Sequence, residues 1–248
     1  MTNKTIFEQY PALQTIPKDK FPKHVAIIPD GNGRWAQQES KFVLHGHKKG
    51  AEQIKTILRD LSQIEAIKIV TLWGFSADNW KRSEKEVKGL LFLIQKQIEM
   101  TIAELKERNA RFIHLGRKDR LPSTLLHIME NAEKETKDNP GQIICIAVDF
   151  GGEDQELRII EAVKNLPKDT SVTNELLWQL RDGHGLIPPA DLLIRTAGEK
   201  RTSDIGWVNG APTELYFIEK FFPDVETDDI VDAIVDFSKR ERRLGARK

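Results

Sequence analysis

Short apolar runs alternate with longer amphipathic stretches along most of the chain. Runs at 24–29, 67–73, 111–115, 142–149 and 190–194, with a further short one at Leu215-Tyr216-Phe217, have the length and β-branching of strands covered on both faces. Between them, apolar spacing of three and four residues predicts helices over 46–63, 83–108, 122–137, 153–165, 173–181 and 227–243. Strands separated by helices of this length call for the α/β class, with a mainly parallel central sheet flanked by helices. No Ser- or Gly-rich linker, internal repeat or low-complexity tract interrupts the alternation. A single domain over 21–248 is therefore expected, with residues 1–20, which carry Pro11 and Pro17, as a flexible N-terminal arm.

Polar residues gather where predicted strands end. His24-Val25-Ala26-Ile27-Ile28-Pro29 delivers Asp30 at the carboxyl end of a strand, where open α/β sheets place their ligands. Gly31 and Gly33 remove side chains where backbone amides can approach an anion, and Arg34 adds a permanent positive charge. The bland reading of Asp-Gly-Asn-Gly is an ordinary turn. The strand at 190–194 runs into Arg195-Thr196-Ala197-Gly198-Glu199-Lys200-Arg201-Thr202-Ser203. Two guanidinium forks and a hydroxyl can saturate the oxygens of a diphosphate, each charge-assisted bond contributing about 1.5–3 kcal/mol. The competing reading, a solvated basic loop, is weakened because an arginine leaving a buried strand needs an anionic partner. Between these sites, Trp73-Gly74-Phe75-Ser76-Ala77-Asp78-Asn79-Trp80-Lys81-Arg82 threads polar residues among aromatics, fit either to gate a cavity or to form a partly buried aromatic turn.

The helix at 83–108 carries Val87, Leu90, Leu91, Ile94, Ile98, Ile102 and Leu105 on one face. Such a stripe is ordinary core packing or one wall of a long apolar tunnel, and periodicity does not separate the two.

Composition narrows the classes. Among 248 residues, Lys+Arg and Asp+Glu both number 38, so the net charge is zero and broad nucleic-acid binding is disfavoured. The single Cys145 rules out an intrachain disulfide and reads as a small apolar core residue. No stretch of about 18 apolar residues and no signal-peptide core occurs, so no transmembrane segment is expected and a cytoplasmic setting is.

Four ordered motifs then carry a resemblance. Asp30-Gly31-Asn32-Gly33-Arg34-Trp35, Gly46-His47-Lys48-Lys49-Gly50, Phe75 to Arg82, and Asp191 to Ser203 followed by Glu214-Leu215-Tyr216-Phe217 resemble the cis-prenyltransferases, closest to the bacterial undecaprenyl diphosphate synthases. The resemblance runs in order from about His24 to Arg243, with Arg242-Arg243-Leu244-Gly245 closing it. It implies an α/β fold with a hydrophobic tunnel, a homodimer, and a Mg²⁺-dependent condensation of isopentenyl diphosphate with an allylic prenyl diphosphate, farnesyl diphosphate being the expected primer and undecaprenyl diphosphate the expected product. By the same resemblance, Asp30 would bind Mg²⁺ and assist departure of the allylic diphosphate, and Glu214 would complete the metal site, often across the dimer interface. Gly31, Asn32, Gly33, Arg34, His47 and Arg82 would hold or flank the allylic diphosphate, and Asn79 would help remove a proton or position the reacting ends. Arg195, Arg201 and Ser203 would hold isopentenyl diphosphate, while Trp35, Phe75 and Trp80 would shape the channel entrance. Peripheral membrane contact for product release is a further expectation.

Departures from the family pattern cluster around substrate recognition. Pro29 replaces a Met, Val43 an arginine beside the allylic diphosphate, Ala77-Asp78 a Ser/Thr-Glu, and Asp149-Phe150-Gly151-Gly152-Glu153 an Asn-Tyr-Gly-Gly-Arg, while Ile205 to Pro212 differs from a more apolar run. They leave open a different product length or another allylic primer. A non-catalytic subunit of a cis-prenyltransferase complex and a nucleotide- or phosphosugar-binding protein are the rival classes. Against the first stand Asp30, Arg34, Arg195, Arg201, Ser203 and Glu214; against the second, the lack of G-x-G-x-x-G or Walker A motifs. Asp228-Asp229-Ile230-Val231-Asp232 fits the DDxxD pattern of the all-helical trans-prenyltransferases, but in the first turn of a helix these acids read as capping.

Overall fold

The computed structural model describes residues 4–242. Among them, strands β1 (His24–Ile28), β2 (Ile69–Ser76), β3 (Arg111–Leu115), β4 (Ile143–Phe150), β5 (Leu192–Arg195) and β6 (Glu214–Phe217) form one six-stranded sheet in the order β3-β4-β2-β1-β5-β6. Helices α1 (Ile6–Gln9), α2 (Asn32–Gln38), α3 (Val43–Leu61), α4 (Glu84–Glu107), α5 (Ser123–Thr136), α6 (Gly152–Lys164), α7 (Asn174–Leu180) and α8 (Thr227–Lys239) flank it. The pairs β1–β5, β5–β6 and β3–β4 are parallel, with Ile28 opposite Arg195 and Leu192 opposite Glu214. The expected α/β architecture is the observed one.

Several elements differ from the sequence expectation. β2 continues through Phe75 to Ser76, where aromatic and polar residues together suggested a strand exit. α2 begins directly after Gly31, inside the stretch read as a turn; seven residues without an apolar stripe give no periodic signal. The last helix ends at Lys239, while Arg243, Leu244 and Gly245 of the closing motif lie outside the described residues.

The described residues group into two compact units, one comprising those up to Thr71, Ala190–Arg201 and those from Gly210, the other Leu72–Pro189 with Thr202–Asn209. In the first unit, Val25, Ala26 and Ile27 of β1 and Leu192 and Ile194 of β5 have no exposed surface, and Ile230, Ala233 and Ile234 of α8 are equally buried. The segment expected as a flexible arm is tied down over its described part. Ile6, Leu13 and Ile16 are buried, the Ile6 N–H donates to Gln63 Oε1 (2.8 Å), and the Tyr10 hydroxyl donates to Asp228 Oδ1 (2.6 Å). In the second unit, α4 buries Val87, Leu90, Leu91, Ile98 and Leu105, α5 buries Leu125, Met129 and Ala132, and Cys145 of β4 is fully enclosed. Ile94 and Ile102 of the α4 stripe are only half-buried, and Phe92 and Met100 are exposed.

α2 seats on α3 through glycine. A Cβ on Gly46 would lie 2.0 Å from the Asn32 carbonyl oxygen, and one on Gly50 2.2 Å from Asn32 Oδ1. Two helical glycines four residues apart thus open the notch that receives the first turn of α2. Gly46→Ala is expected to displace that turn and destabilise the protein by roughly 2 kcal/mol or more, read as a lower urea midpoint at unchanged m-value. A midpoint equal to that of the unsubstituted protein would show that the contact is not needed.

Candidate active site

The first unit's site grows from the register of two parallel strands. Because Ile28 lies opposite Arg195, the chain leaves β1 and β5 at the same level, and Asp30 emerges beside Thr196. The buried Thr196 hydroxyl accepts the Asp30 N–H (2.9 Å) and donates to the Asp30 carbonyl (2.8 Å), while the Phe222 N–H donates to the same carbonyl (3.0 Å). The Asp30 backbone is therefore fixed before its carboxylate makes any contact. Gly31 follows at φ +92°, and a Cβ there would meet Phe221 at 2.6 Å and Ala197 at 2.8 Å, so glycine is required on both counts.

Around the carboxylate stands a chain of charges. Arg195, nearly fully buried, donates from Nη2 to Asp30 Oδ2 (2.8 Å) and from Nη1 to the Arg201 carbonyl (2.6 Å). Arg34 reaches Asp30 Oδ1 at 3.3 Å with one nitrogen and Glu199 Oε1 at 2.8 Å with the other, and Arg201 binds the second oxygen of Glu199. Burial alone would raise the Asp30 pKa, but the hydrogen bonds from Arg195 and the Gly31 N–H and the charges of Arg195 and Arg34 outweigh it and hold the carboxyl below its ordinary value. Three guanidinium groups against two carboxylates leave the cluster net positive and built for anions. Thr196 and Glu199 carry no motif signal beyond their place in the loop; their roles appear only when the strands are paired.

The remaining candidates of this unit are placed as follows. Asn32 opens α2, donates from Nδ2 to the Pro29 carbonyl (2.8 Å), and turns Oδ1 toward Gly50. A Cβ built on Gly33 lies 3.7 Å from Val43 Cγ1, so the position where the family pattern has an arginine presents a methyl group to this turn. His47 sits on α3 next to Gly46. Trp35 is buried, with the ammonium groups of Lys41 and Lys49 4.8 and 4.5 Å from its ring centre. Glu214 begins β6 opposite Leu192, three residues or about 10 Å along the strand pair from the level of Arg195. There it pairs with Arg240 (2.8 Å). One chain therefore does not bring Asp30 and Glu214 together, and among the described residues no three His, Cys, Asp or Glu side chains form a metal cluster.

The second unit holds the other candidates. Phe75 is buried on β2 and meets Trp80 edge-on, ring centres 5.3 Å apart. Asn79 lies in the short turn Ala77–Lys81, and its Oδ1 accepts the Ser76 N–H (3.1 Å). Arg82 pairs with Glu86 (2.8 Å) at the start of α4. Ser203 adopts φ +47° in an exposed loop. The next residue, Asp204, accepts the Glu153 N–H on both carboxylate oxygens (3.3 Å each), tying the loop to the start of α6. Of the acids matching DDxxD, Asp229 accepts the Glu226 N–H (2.9 Å) as part of a capping box and binds Lys220, so it serves the helix end.

Comparison with known proteins gives a consistent result. A family model described as "Putative undecaprenyl diphosphate synthase" matches residues 28–245. An isoprenyl transferase of Aquifex pyrophilus is 39% identical over 226 residues, covering 91% of this chain and 96% of that protein. One from Bacillus cereus is 36% identical over 241 residues, covering 94% and 92%. The crystal structure of lavandulyl diphosphate synthase from Lavandula x intermedia in complex with dimethylallyl diphosphate superimposes with a TM-score of 0.85 at 31% identity, over 92% of this chain and 100% of that one. A structure titled as a probable undecaprenyl diphosphate synthase from Campylobacter jejuni shares the fold at a TM-score of 0.74 and 24% identity, over 91% and 99%.

The depressed pKa of Asp30 fixes the sign of a pH effect. Its stabilising contribution is present above the ordinary carboxylate pKa and is lost as pH falls through the lower folded-state value. Urea midpoints of the wild type and Asp30→Asn are expected to differ at pH 6 and to converge on acidification through and below about pH 4. A gap that stays constant or widens in acid would contradict the placement of Asp30.

Proposed function

Because the chain belongs to the undecaprenyl diphosphate synthase family of isoprenyl transferases, we propose that it condenses isopentenyl diphosphate with an allylic diphosphate in a Mg²⁺-dependent reaction forming cis double bonds. Farnesyl diphosphate is the leading primer and undecaprenyl diphosphate the leading product. The observation that carries this reading is the Asp30 carboxylate held between Arg195 and Arg34, with Arg201 joined to the same cluster through Glu199.

Breaking the allylic C–O bond leaves a carbocation and a diphosphate anion; the double bond of isopentenyl diphosphate then forms the new C–C bond, and loss of a proton restores an alkene. The protein must stabilise the growing negative charge and exclude water from the cation. Arg195 is immobilised by its two bonds and by burial, so it meets a diphosphate without reorganising. Arg34 and Arg201 each donate to Glu199, and diphosphate oxygens would take that carboxylate's place. The donor set fits Mg²⁺, which takes hard oxygen ligands from one or two carboxylates plus substrate phosphates and waters; Asp30, partly exposed, is the carboxylate that would hold it. Bound there, the ion would neutralise diphosphate charge and favour its departure. Glu214 would join such a site only from a second copy of the chain, which supports a homodimer. The amide of Asn79 is not a base, and with Oδ1 engaged by Ser76 its role is to position the reacting ends.

The hydrocarbon would lie in the second unit. Gly74 is exposed although it belongs to a central strand, and a Cβ there would stand 3.7 Å from Ile94 of α4 and 3.8 Å from Ile146 of β4, both half-buried. Solvent-accessible apolar side chains beside a sheet interior support a channel along the α4 stripe. Each added isoprene unit buries about five carbons, roughly 3–4 kcal/mol of transfer free energy, and so retains the growing product. No described helix is long and apolar enough to cross a membrane. Peripheral contact with one for product release, in a cytoplasmic setting, completes the proposal. The dimethylallyl diphosphate in the lavender enzyme makes a shorter primer the second reading.

Chromatography of products from dimethylallyl, geranyl and farnesyl diphosphates with isopentenyl diphosphate and Mg²⁺ tests both readings; absence of product from every primer refutes them. Arg201→Ala is expected to raise the isopentenyl diphosphate KM at least tenfold, the loss of one charge-assisted contact. An effect confined to the primer KM would reassign this arginine. Gly74→Leu is expected to shift the products toward shorter chains, and an unchanged length distribution would move the channel elsewhere.

A further inference from the structure

Trp80 is gripped from three sides within the second unit. Phe75 packs edge-on at an interplanar angle of 74°, the Arg120 guanidinium lies 5.7 Å from the indole ring centre, and Nε1–H donates to Asp149 Oδ1 at 2.8 Å. Asp149 is a fully buried carboxylate near the end of β4, at φ +55°. Arg120 donates from Nε to Asp149 Oδ2 (2.8 Å) and from Nη2 to Oδ1, and the Arg117 N–H donates to the Asp149 carbonyl (3.0 Å). A buried charge on a left-handed residue costs both desolvation and backbone strain, and persists only where its surroundings over-determine it. Here the surroundings do so with a bidentate cation, a backbone donor and an indole N–H. The proposed diphosphate chemistry makes no use of this group.

We propose that Asp149, together with Arg120, is a positioning residue that fixes the Trp80 indole and, through the Ala77–Lys81 turn carrying it, the Asn79 amide. The indole face thereby becomes a rigid wall that sets where the allylic hydrocarbon lies. The proposal rests on the role assigned above to Trp80 and Asn79. Asp149 itself touches no reacting atom: its carboxylate is spent on Trp80 and Arg120, and the order of influence runs from β4 to the turn and then to the substrate.

Arg120→Gln leaves the carboxylate under-satisfied and removes the cation near the ring. It is expected to lower kcat about tenfold with the preferred primer at an unchanged isopentenyl diphosphate KM, and to shift or broaden the 5-fluorotryptophan resonance of Trp80, identified as the one absent in Trp80→Phe. Asp149→Asn combined with Arg120→Gln neutralises the pair while keeping an acceptor for the indole, and should recover most of the lost kcat. Trp80→Phe combined with Arg120→Gln should be no slower than Trp80→Phe alone, since the residue being positioned is already gone. Additive losses in that cycle overturn the proposal, as does an unchanged Trp80 resonance or an isopentenyl diphosphate KM that rises as far as kcat falls. Should Arg120→Gln fail to fold, Asp149→Asn in the wild-type and Trp80→Phe backgrounds runs the same cycle with the same criteria. A wild-type protein that makes no product from any primer refutes the catalytic reading itself, whereas an active wild type with indifferent variants overturns the positioning role alone.

Discussion

Arg195 ends a strand buried throughout, and it brings a guanidinium charge into that interior. A cation in that place must have an anion and an acceptor supplied by the fold. Asp30 is the anion and the Arg201 carbonyl the acceptor, and both are available because β1 and β5 run parallel with Ile28 opposite Arg195. The same register sets Thr196 beside Asp30, where one hydroxyl satisfies both backbone groups of the aspartate. Strand pairing, loop conformation and charge placement are thus one constraint. A register slip of a single residue would turn Arg195 to the other face of the sheet and strand a buried cation.

The cluster also balances its own charges. Glu199 joins Arg34 to Arg201 by accepting from both guanidinium groups. Without it, two guanidinium groups would repel each other across the site. With it, the geometry is held, and in the proposed function a diphosphate, which carries more charge and more acceptor oxygens than one carboxylate, would be the stronger ligand. The Asp30 carboxyl is held below its ordinary pKa by the same neighbours, so in the proposed function binding and ionisation would draw on one electrostatic arrangement.

Much of this was legible in the residues. The β1, β4 and β5 runs announce themselves because strands buried on both faces are largely apolar, and Asp30 and Arg195 stand out as polar residues at the ends of such runs. What escaped reading has physical reasons. α2 is too short to show a period and starts from a glycine in a left-handed conformation that equally suits a turn. The anchoring of residues 4–20 depends on Ile6 and Leu13, apolar positions in no periodic pattern, whose burial is decided by tertiary packing. Asp149 stands out in the sequence only as an acid where the family pattern has an amide. The arginine it binds lies 29 positions earlier in the chain. Glu214 was named on resemblance, and the strand register shows why one chain cannot bring it to Asp30.

The segmentation of the first unit bears on how the protein is made. Its β1 strand is synthesised early, yet β5, β6 and α8, which cover and pair with it, come from Ala190 onward. Apolar β1 must therefore wait, unpaired by β5, while the long continuous segment Leu72–Pro189 is produced and can condense by largely local contacts. During translation β1 thus has β2 on one side but leaves its β5-facing edge open for most of the elongation time, and an open apolar strand edge of that kind is the part of the nascent chain that most needs protection from mispairing.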